Sequence, residues 1–139
     1  MQKGIMILAV GLMLMLQLNI FSQTSTAKFS EIEFDVNNLS QQGQSAYKTL
    51  ITTQVFSING YGIASAPYPQ TVALLKLLEE KNAEKALQSA IRNATPEGQV
   101  YGLLGLQAIK SKQFKSDFKV FGDLFSEQEN LKLEINSNS

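Results

Sequence analysis

The stretch ATPEGQVYGLLGLQAI, residues 94–109, sets the tightest limit on how this chain can fold. It opens as a helix should: Thr95 supplies a capping hydroxyl and Pro96 suits the first helical position. It then places Gly98, Gly102 and Gly105 inside that helix, each costing about 1 kcal/mol relative to alanine. With 3.6 residues per turn the three glycines fall within about 60° of one another, and Ile109 extends their stripe. Val100, Tyr101, Leu103, Leu104 and Leu106 cover much of the remaining circumference. A helix that is apolar nearly all round is buried on several sides. The glycines therefore form a groove on a central helix. The close approach they allow, and the burial that follows, offset roughly 3 kcal/mol of lost helix propensity.

The preceding segment predicts what fills the groove. Over residues 83–94, capped by Asn82, Ala83, Ala86, Leu87, Ala90, Ile91 and Ala94 share one face of a helix. Glu84, Lys85, Gln88 and Arg92 share the other. The apolar face is mostly alanine, thin enough to enter a glycine groove. Three further helices are expected. One spans residues 44–56, with Ala46, Tyr47, Leu50, Ile51 and Val55 at helical spacing, and one spans 70–81. The last spans 113–125, where Phe114, Phe118, Phe121 and Phe125 form one stripe read as core. Lys112, Lys115 and Lys119 beside that stripe read as a solvated face.

Both ends of this helical run alternate with period two. Ile32, Phe34 and Val36 share one side of an extended segment, as do Leu131, Leu133 and Ile135. Neither segment can satisfy its backbone alone, so the expectation is a two-stranded pairing of the ends, laid on the helices. SEQE at residues 126–129 is a capping-box pattern and offers a sixth helix as the alternative.

The N-terminus reads as a signal peptide. Lys3 precedes an uncharged apolar run, and small residues follow it. Cleavage fits after Ser22, or after Ala27 with Ser25 two positions earlier. No cysteine lies near the site, which excludes lipoprotein processing. The alternative is an uncleaved anchor, since residues 4–21 are just long enough to cross a bilayer, although Gln17 and Asn19 weaken the end of the run. The expected division is a signal peptide at 1–22 (or to 27), an extended or flexible segment at 23–43, a helical domain at 44–125 and a tail at 126–139.

Composition narrows the chemistry. Twelve Lys+Arg balance twelve Asp+Glu, so charge gives no case for nucleic acid or a strongly anionic membrane. The chain has no cysteine and no histidine, which removes the usual zinc sites and every Ser-His or Cys-His nucleophile. The acids are scattered, so no metal and no cofactor is expected. SAYK at Ser45–Lys48 matches the S-x-x-K of serine beta-lactamases, but its companion motifs are missing and the chain is too short for that fold. Glu97 stands in a first helical turn, where a carboxylate complements the helix dipole.

The connector bounded by Ile58 and Pro69 is the longest internal loop and carries Tyr61 and Tyr68. Loops this long in small domains are often functional, and tyrosine suits interfaces, so these two are the candidate contact residues. The alternative is a plain connector whose glycines permit turns and whose tyrosines cover the core.

NAEKALQSAI followed by ATPEGQVYGLLGL, with GYGIAS before TVALLKLL, resembles a group of small exported bacterial proteins of uncharacterised function. The likeness spans about residues 45–121, and its specificity lies in the Gly-x-x-Tyr-Gly-Leu-x-Gly-Leu run from Gly98 to Leu106. The resemblance implies an all-α fold, a short array of about five helices in HEAT-like pairs. It carries over no catalytic or ligand residues. Some relatives are expected to hold a cysteine, and any thiol role there is absent here.

Two functions are therefore carried forward. The first is an exported, non-enzymatic helical domain, periplasmic or secreted, that binds a protein partner or serves the envelope structurally; stacked helix pairs present a concave face suited to this. The second is an enzyme or small-ligand binder using the connector at 58–69. Export has a direct check. Intact mass of the protein recovered from the cell envelope should correspond to a chain lacking residues 1–22 or 1–27. A species that retains Met1 through Phe21 establishes the anchor instead.

Overall fold

The computed structural model describes residues 27–57, 60, 61 and 66–137. Residues 1–26, which hold the expected signal peptide, lie outside the described residues. Among the described residues, five α-helices follow one 3-10 turn at Val36–Asn38: α1 (Gln41–Thr52), α2 (Pro69–Leu78), α3 (Ala83–Asn93), α4 (Pro96–Ala108) and α5 (Phe114–Ser137). The fold is all-α, as the sequence predicts. Between α1 and α2, β1 (Gly60–Tyr61) and β2 (Ala66–Pro67) form a minimal antiparallel ladder, pairing Gly60 with Pro67 and Tyr61 with Ala66.

α1 and α2 form one antiparallel pair, α3 and α4 a second. Their ends are set by contacts across the sequence. Ser40 caps α1, its hydroxyl accepting the Gly43 N–H at 3.0 Å. Glu80, just past α2, accepts the Ser40 N–H at 3.1 Å and the Ser40 hydroxyl proton. The Glu80 carboxylate occupies the space a Cβ on Gly43 would need. These two bonds, the hydroxyl one first, hold the Glu80 carboxyl below its ordinary pKa. With a cap at Ser40 the helix starts three residues earlier than the apolar spacing alone suggests.

At its other end α1 stops at Thr52, not at residue 56. Thr53 is extended, and its carbonyl accepts the Thr95 hydroxyl proton. The Thr95 N–H donates to the Ile51 carbonyl at 3.1 Å. The same Thr95 hydroxyl caps α4 by accepting the Gly98 N–H at 3.2 Å. One threonine thus closes the start of one helix and takes up carbonyls at the end of another.

The glycine stripe faces inward and meets the named face of α3, as expected, through Leu87, Ile91 and Ala94. A Cβ on Gly102 would lie 2.8 Å from Ile91 Cγ1 and 3.0 Å from the Leu87 carbonyl oxygen, and one on Gly105 would meet the Leu87 side chain. Leu87 and Ile91 fill the groove, because they stand on the α3 ridge nearest to it. Ala86 and Ala90 are fully buried but do not head these contacts. At Gly98 the neighbours are the Leu50 carbonyl of α1 and the Ala94 Cβ, 2.7 Å from where a Cβ would stand. α4 is therefore central, touching α1, α2, α3 and α5. It ends with Lys110 in the left-handed region at φ 54°, the Ser111 N–H reaching the Leu106 carbonyl at 2.9 Å and the Lys110 N–H that of Gln107 at 3.0 Å.

The N-terminal segment is extended and alternates as its sequence predicts. Ile32, Phe34 and Val36 are half-buried; Glu33 and Asp35 are exposed. Its partner is not the C-terminus. Phe29, Phe34 and Val36 pack on the helical core, with the Phe34 ring 5.2 Å from that of Tyr47. Arg92, placed on the solvent face by the helical wheel, fixes this segment instead. It donates to the Ser30 carbonyl at 2.9 Å and the Gln88 carbonyl at 2.7 Å, lies 5.0 Å from the Phe29 ring centre, and pairs with Asp117 of α5 at 3.3 Å. Its side chain is 11% exposed. The wheel errs here because the N-terminal segment and α5 cover that side of α3.

The strand pairing of the two ends does not form. Residues 131–135 continue α5, and SEQE lies inside that helix rather than starting a sixth. No glycine or proline follows Gly122, so nothing in the sequence ends the helix there.

A large side chain in the glycine groove must push apart α3 and α4. Gly102→Leu should lose about 1–3 kcal/mol, against almost nothing for the exposed Lys85→Ala. Thermal melting of the two variants checks this, and equal melting temperatures would show that the groove can open without loss.

Candidate interaction surface

The connector from α1 to α2 contains the segment, 58–69, that the sequence marks for contact, and the residues leading into it are firmly built. Thr53 is buried, and its hydroxyl accepts the Val55 N–H at 3.2 Å. Two residues on, the backbone of Ser57 is held twice by one side chain. The Tyr101 hydroxyl donates to the Ser57 carbonyl at 2.6 Å and accepts the Ser57 N–H at 3.0 Å. The Thr71 hydroxyl donates to the same carbonyl at 3.0 Å. Tyr101 itself is fully buried in α4, so the anchor belongs to the core.

Above this anchor two large apolar side chains face water. Val55 is 47% exposed and Phe56 43%, the Phe56 ring tilted against Tyr101 with centres 5.1 Å apart. Sequence reasoning missed both, because it placed them on the end of the first helix. The available signal was Thr53, a β-branched residue with a capping hydroxyl that ends the helix early.

The predicted contact residues fall further along the connector. Tyr68 is half-buried at the N-cap of α2, its carbonyl accepting the Val72 N–H at 3.1 Å, with Pro69 in the first helical position. Tyr61 lies on β1, paired with Ala66, and its side chain is outside the described residues. The structure thus places Tyr68 at a helix start, with the exposed Val55 and Phe56 on the same connector.

Two depressions of similar size mark the described surface. One, of about 390 Å³, runs between α1 and α2 and is lined by Gln41, Ser45, Thr49, Pro69, Val72 and Lys76. Its polar lining is exposed or half-buried. Ser45 and Lys48 of the SAYK motif both lie on the exposed side of α1; among the described residues no hydrogen bond joins them, so nothing there activates the serine. The other, of about 380 Å³, is lined by Phe29, Pro96, Gln99, Phe121, Leu124 and Phe125.

The phenylalanine stripe of α5 is only half core. Phe114 and Phe121 pack against the core, whereas Phe118 is 57% and Phe125 51% exposed. The buried line of α5 passes through Asp117 and Phe121, and a 3.6-residue helix carries Phe118 and Phe125 off its edge. Lys112, Lys115 and Lys119 are exposed, and Lys119 pairs with Asp123 at 2.7 Å along the helix. Glu97 is half-buried in the first turn of α4. Among the described residues no three acidic side chains gather as a metal site. None of their helices is long and apolar enough to cross a membrane.

Comparison with protein-family models, with curated proteins and with solved structures gives no match to this chain.

The Tyr101 hydroxyl is the group that makes the connector rigid. Tyr101→Phe removes it and leaves the Ser57 N–H without that acceptor, which should cost about 1–3 kcal/mol. Urea unfolding measures the loss, and amide exchange at Ser57 should quicken in parallel. Unchanged stability with unchanged exchange would show that water replaces the hydroxyl freely.

Proposed function

We propose that this chain is an exported, non-enzymatic helical domain that binds a protein partner through the connector between α1 and α2. The observation that carries the reading is the pairing of exposure with rigidity. Val55 and Phe56 present apolar surface to water on a backbone held by the buried Tyr101. Surface of that kind favours association, because apolar area is withdrawn from water while little conformational entropy is lost.

The architecture supports a HEAT-like reading, and with it the resemblance to small exported helical proteins. Two antiparallel pairs stack in series. The ties between them keep a nearly constant separation in sequence: 42 residues from Tyr47 to Ser89 and from Thr53 to Thr95, and 44 from Ser57 to Tyr101. HEAT-type repeats advance by about 40–47 residues. Such arrays use exposed faces and inter-helix connections for binding, and their purpose is contact rather than chemistry. The solvated lining of the α1–α2 groove gives the small-ligand alternative less support, since ligand sites generally bury the polar groups that orient the ligand.

The test is cross-linking in the protein's own envelope fraction, with a photoreactive residue at position 56. Wild-type chain should give one dominant adduct. Val55→Asp should abolish it while leaving the melting temperature within about 1 °C, because the side chain is already half in water. Lys85→Ala should keep the adduct. An adduct that survives Val55→Asp would remove the connector from the interface.

A further inference from the structure

Four glycines in the helices of the first two pairs each admit a neighbouring group: Gly43, Gly98, Gly102 and Gly105. The fifth helical glycine does not. Gly122, in the middle of α5, has nothing within 4 Å of where its Cβ would be. In an exposed helix it costs about 1 kcal/mol against alanine, with no packing inside the molecule to offset it.

Its surroundings supply a reason. Lys115, Phe118, Gly122, Phe125 and Glu129 follow one another at steps of three, four, three and four, so they share one face of α5. All five are exposed, and the two phenylalanines are the most exposed aromatic side chains of the described core region. The face is nearly symmetric about Gly122: a lysine seven residues before it and a glutamate seven after, a phenylalanine four before and another three after. Among the described residues neither Lys115 nor Glu129 has an ion-pair partner.

We propose that this face binds a second copy of the same chain, with the two α5 helices antiparallel and a two-fold axis at Gly122. In that arrangement residue positions before the glycine meet positions after it on the partner. Lys115 faces the Glu129 of the other copy, about 10 Å from the axis, and the pairing occurs twice. Phe118 lies beside the other copy's Phe125, also twice, and the glycines at the axis let the helices come close. The parallel arrangement in register would set lysine against lysine and glutamate against glutamate. The charge order along α5 thus selects one orientation, and the absence of a side chain at its centre explains the exposed glycine. This surface is separate from the Val55–Phe56 connector, so either can fail without the other.

Sedimentation of the protein over a concentration series tests the proposal. A dimer with a dissociation constant on the order of 10 µM is expected. Lys115→Glu should weaken it about tenfold or more, since two attractive contacts become repulsive. Glu129→Lys should do the same, and the double exchange Lys115→Glu/Glu129→Lys should restore the wild-type constant. Gly122→Glu should abolish the dimer while the melting temperature of the monomer holds or rises, which separates loss of pairing from loss of fold. A chain that stays monomeric at about 0.5 mM overturns the proposal, as does a dimer indifferent to the single charge reversals.

Discussion

Helix α4 can serve two neighbours at once only because one side of it has no side chains. At Gly98 the gap admits a carbonyl of α1, and at Gly102 and Gly105 it admits Leu87, Ile91 and the backbone of α3. Tyr101 and Leu106 flank the glycines on the two sides, roughly 70° away on the helical wheel, and both are buried, as is Leu103 beyond them. A single cylinder therefore presents a flat face between filled flanks, and the two helix pairs meet across it. Close packing of this kind falls off steeply with separation, since a gap of a fraction of an ångström forfeits much of the dispersion contact. The glycines thus control more than their own neighbourhood. They set the distance at which Thr95 can reach the end of α1 and at which Tyr101 can reach Ser57.

Around this centre, Arg92 fixes what the helices alone leave free. Its guanidinium gathers Phe29 and Ser30 of the extended segment, a carbonyl of its own helix, and Asp117 of α5. Arginine suits this because its planar fork can serve several acceptors at once while its face lies on a ring. Asp117 decides how α5 is turned about its axis. With that carboxylate drawn inward, Phe114 and Phe121 must pack on the core, and Phe118 and Phe125 must not. One buried ion pair accounts both for the docking of the last helix and for the apolar edge it leaves in water.

The features readable in the sequence are those set by neighbours within a turn or two. Thr95, Pro96 and the three glycines announce both the start of α4 and its inward face. The alternation from Ile32 to Val36 marks a one-sided extended segment, and the zero net charge and lack of histidine and cysteine narrow the chemistry. What escapes is set by residues some forty positions away. Ser40 reads as part of a polar loop until Glu80 arrives to complete its cap. Arg92 reads as solvated until two other segments cover it. The alternation at Leu131, Leu133 and Ile135 resembles that at Ile32, but five residues carry too little pattern to tell a strand from the continuation of a helix. Tyr61 and Tyr68 lie on the connector of the proposed contact surface, while the exposure of Val55 and Phe56 beside them depends on where α1 stops.

The near-constant spacing of the long-range ties has a kinetic meaning. Ser40 with Glu80, Tyr47 with Ser89, Thr53 with Thr95 and Ser57 with Tyr101 all bridge 40 to 44 residues. The entropy of closing a loop of that size is incurred once, by whichever tie forms first. Each later tie then closes only the few residues between itself and the one before, so it adds contact at little further loss of chain freedom. A chain built this way should have few half-docked forms. Its first correct contact is slow relative to local helix formation, and the rest follow as a zipper from either end of α1.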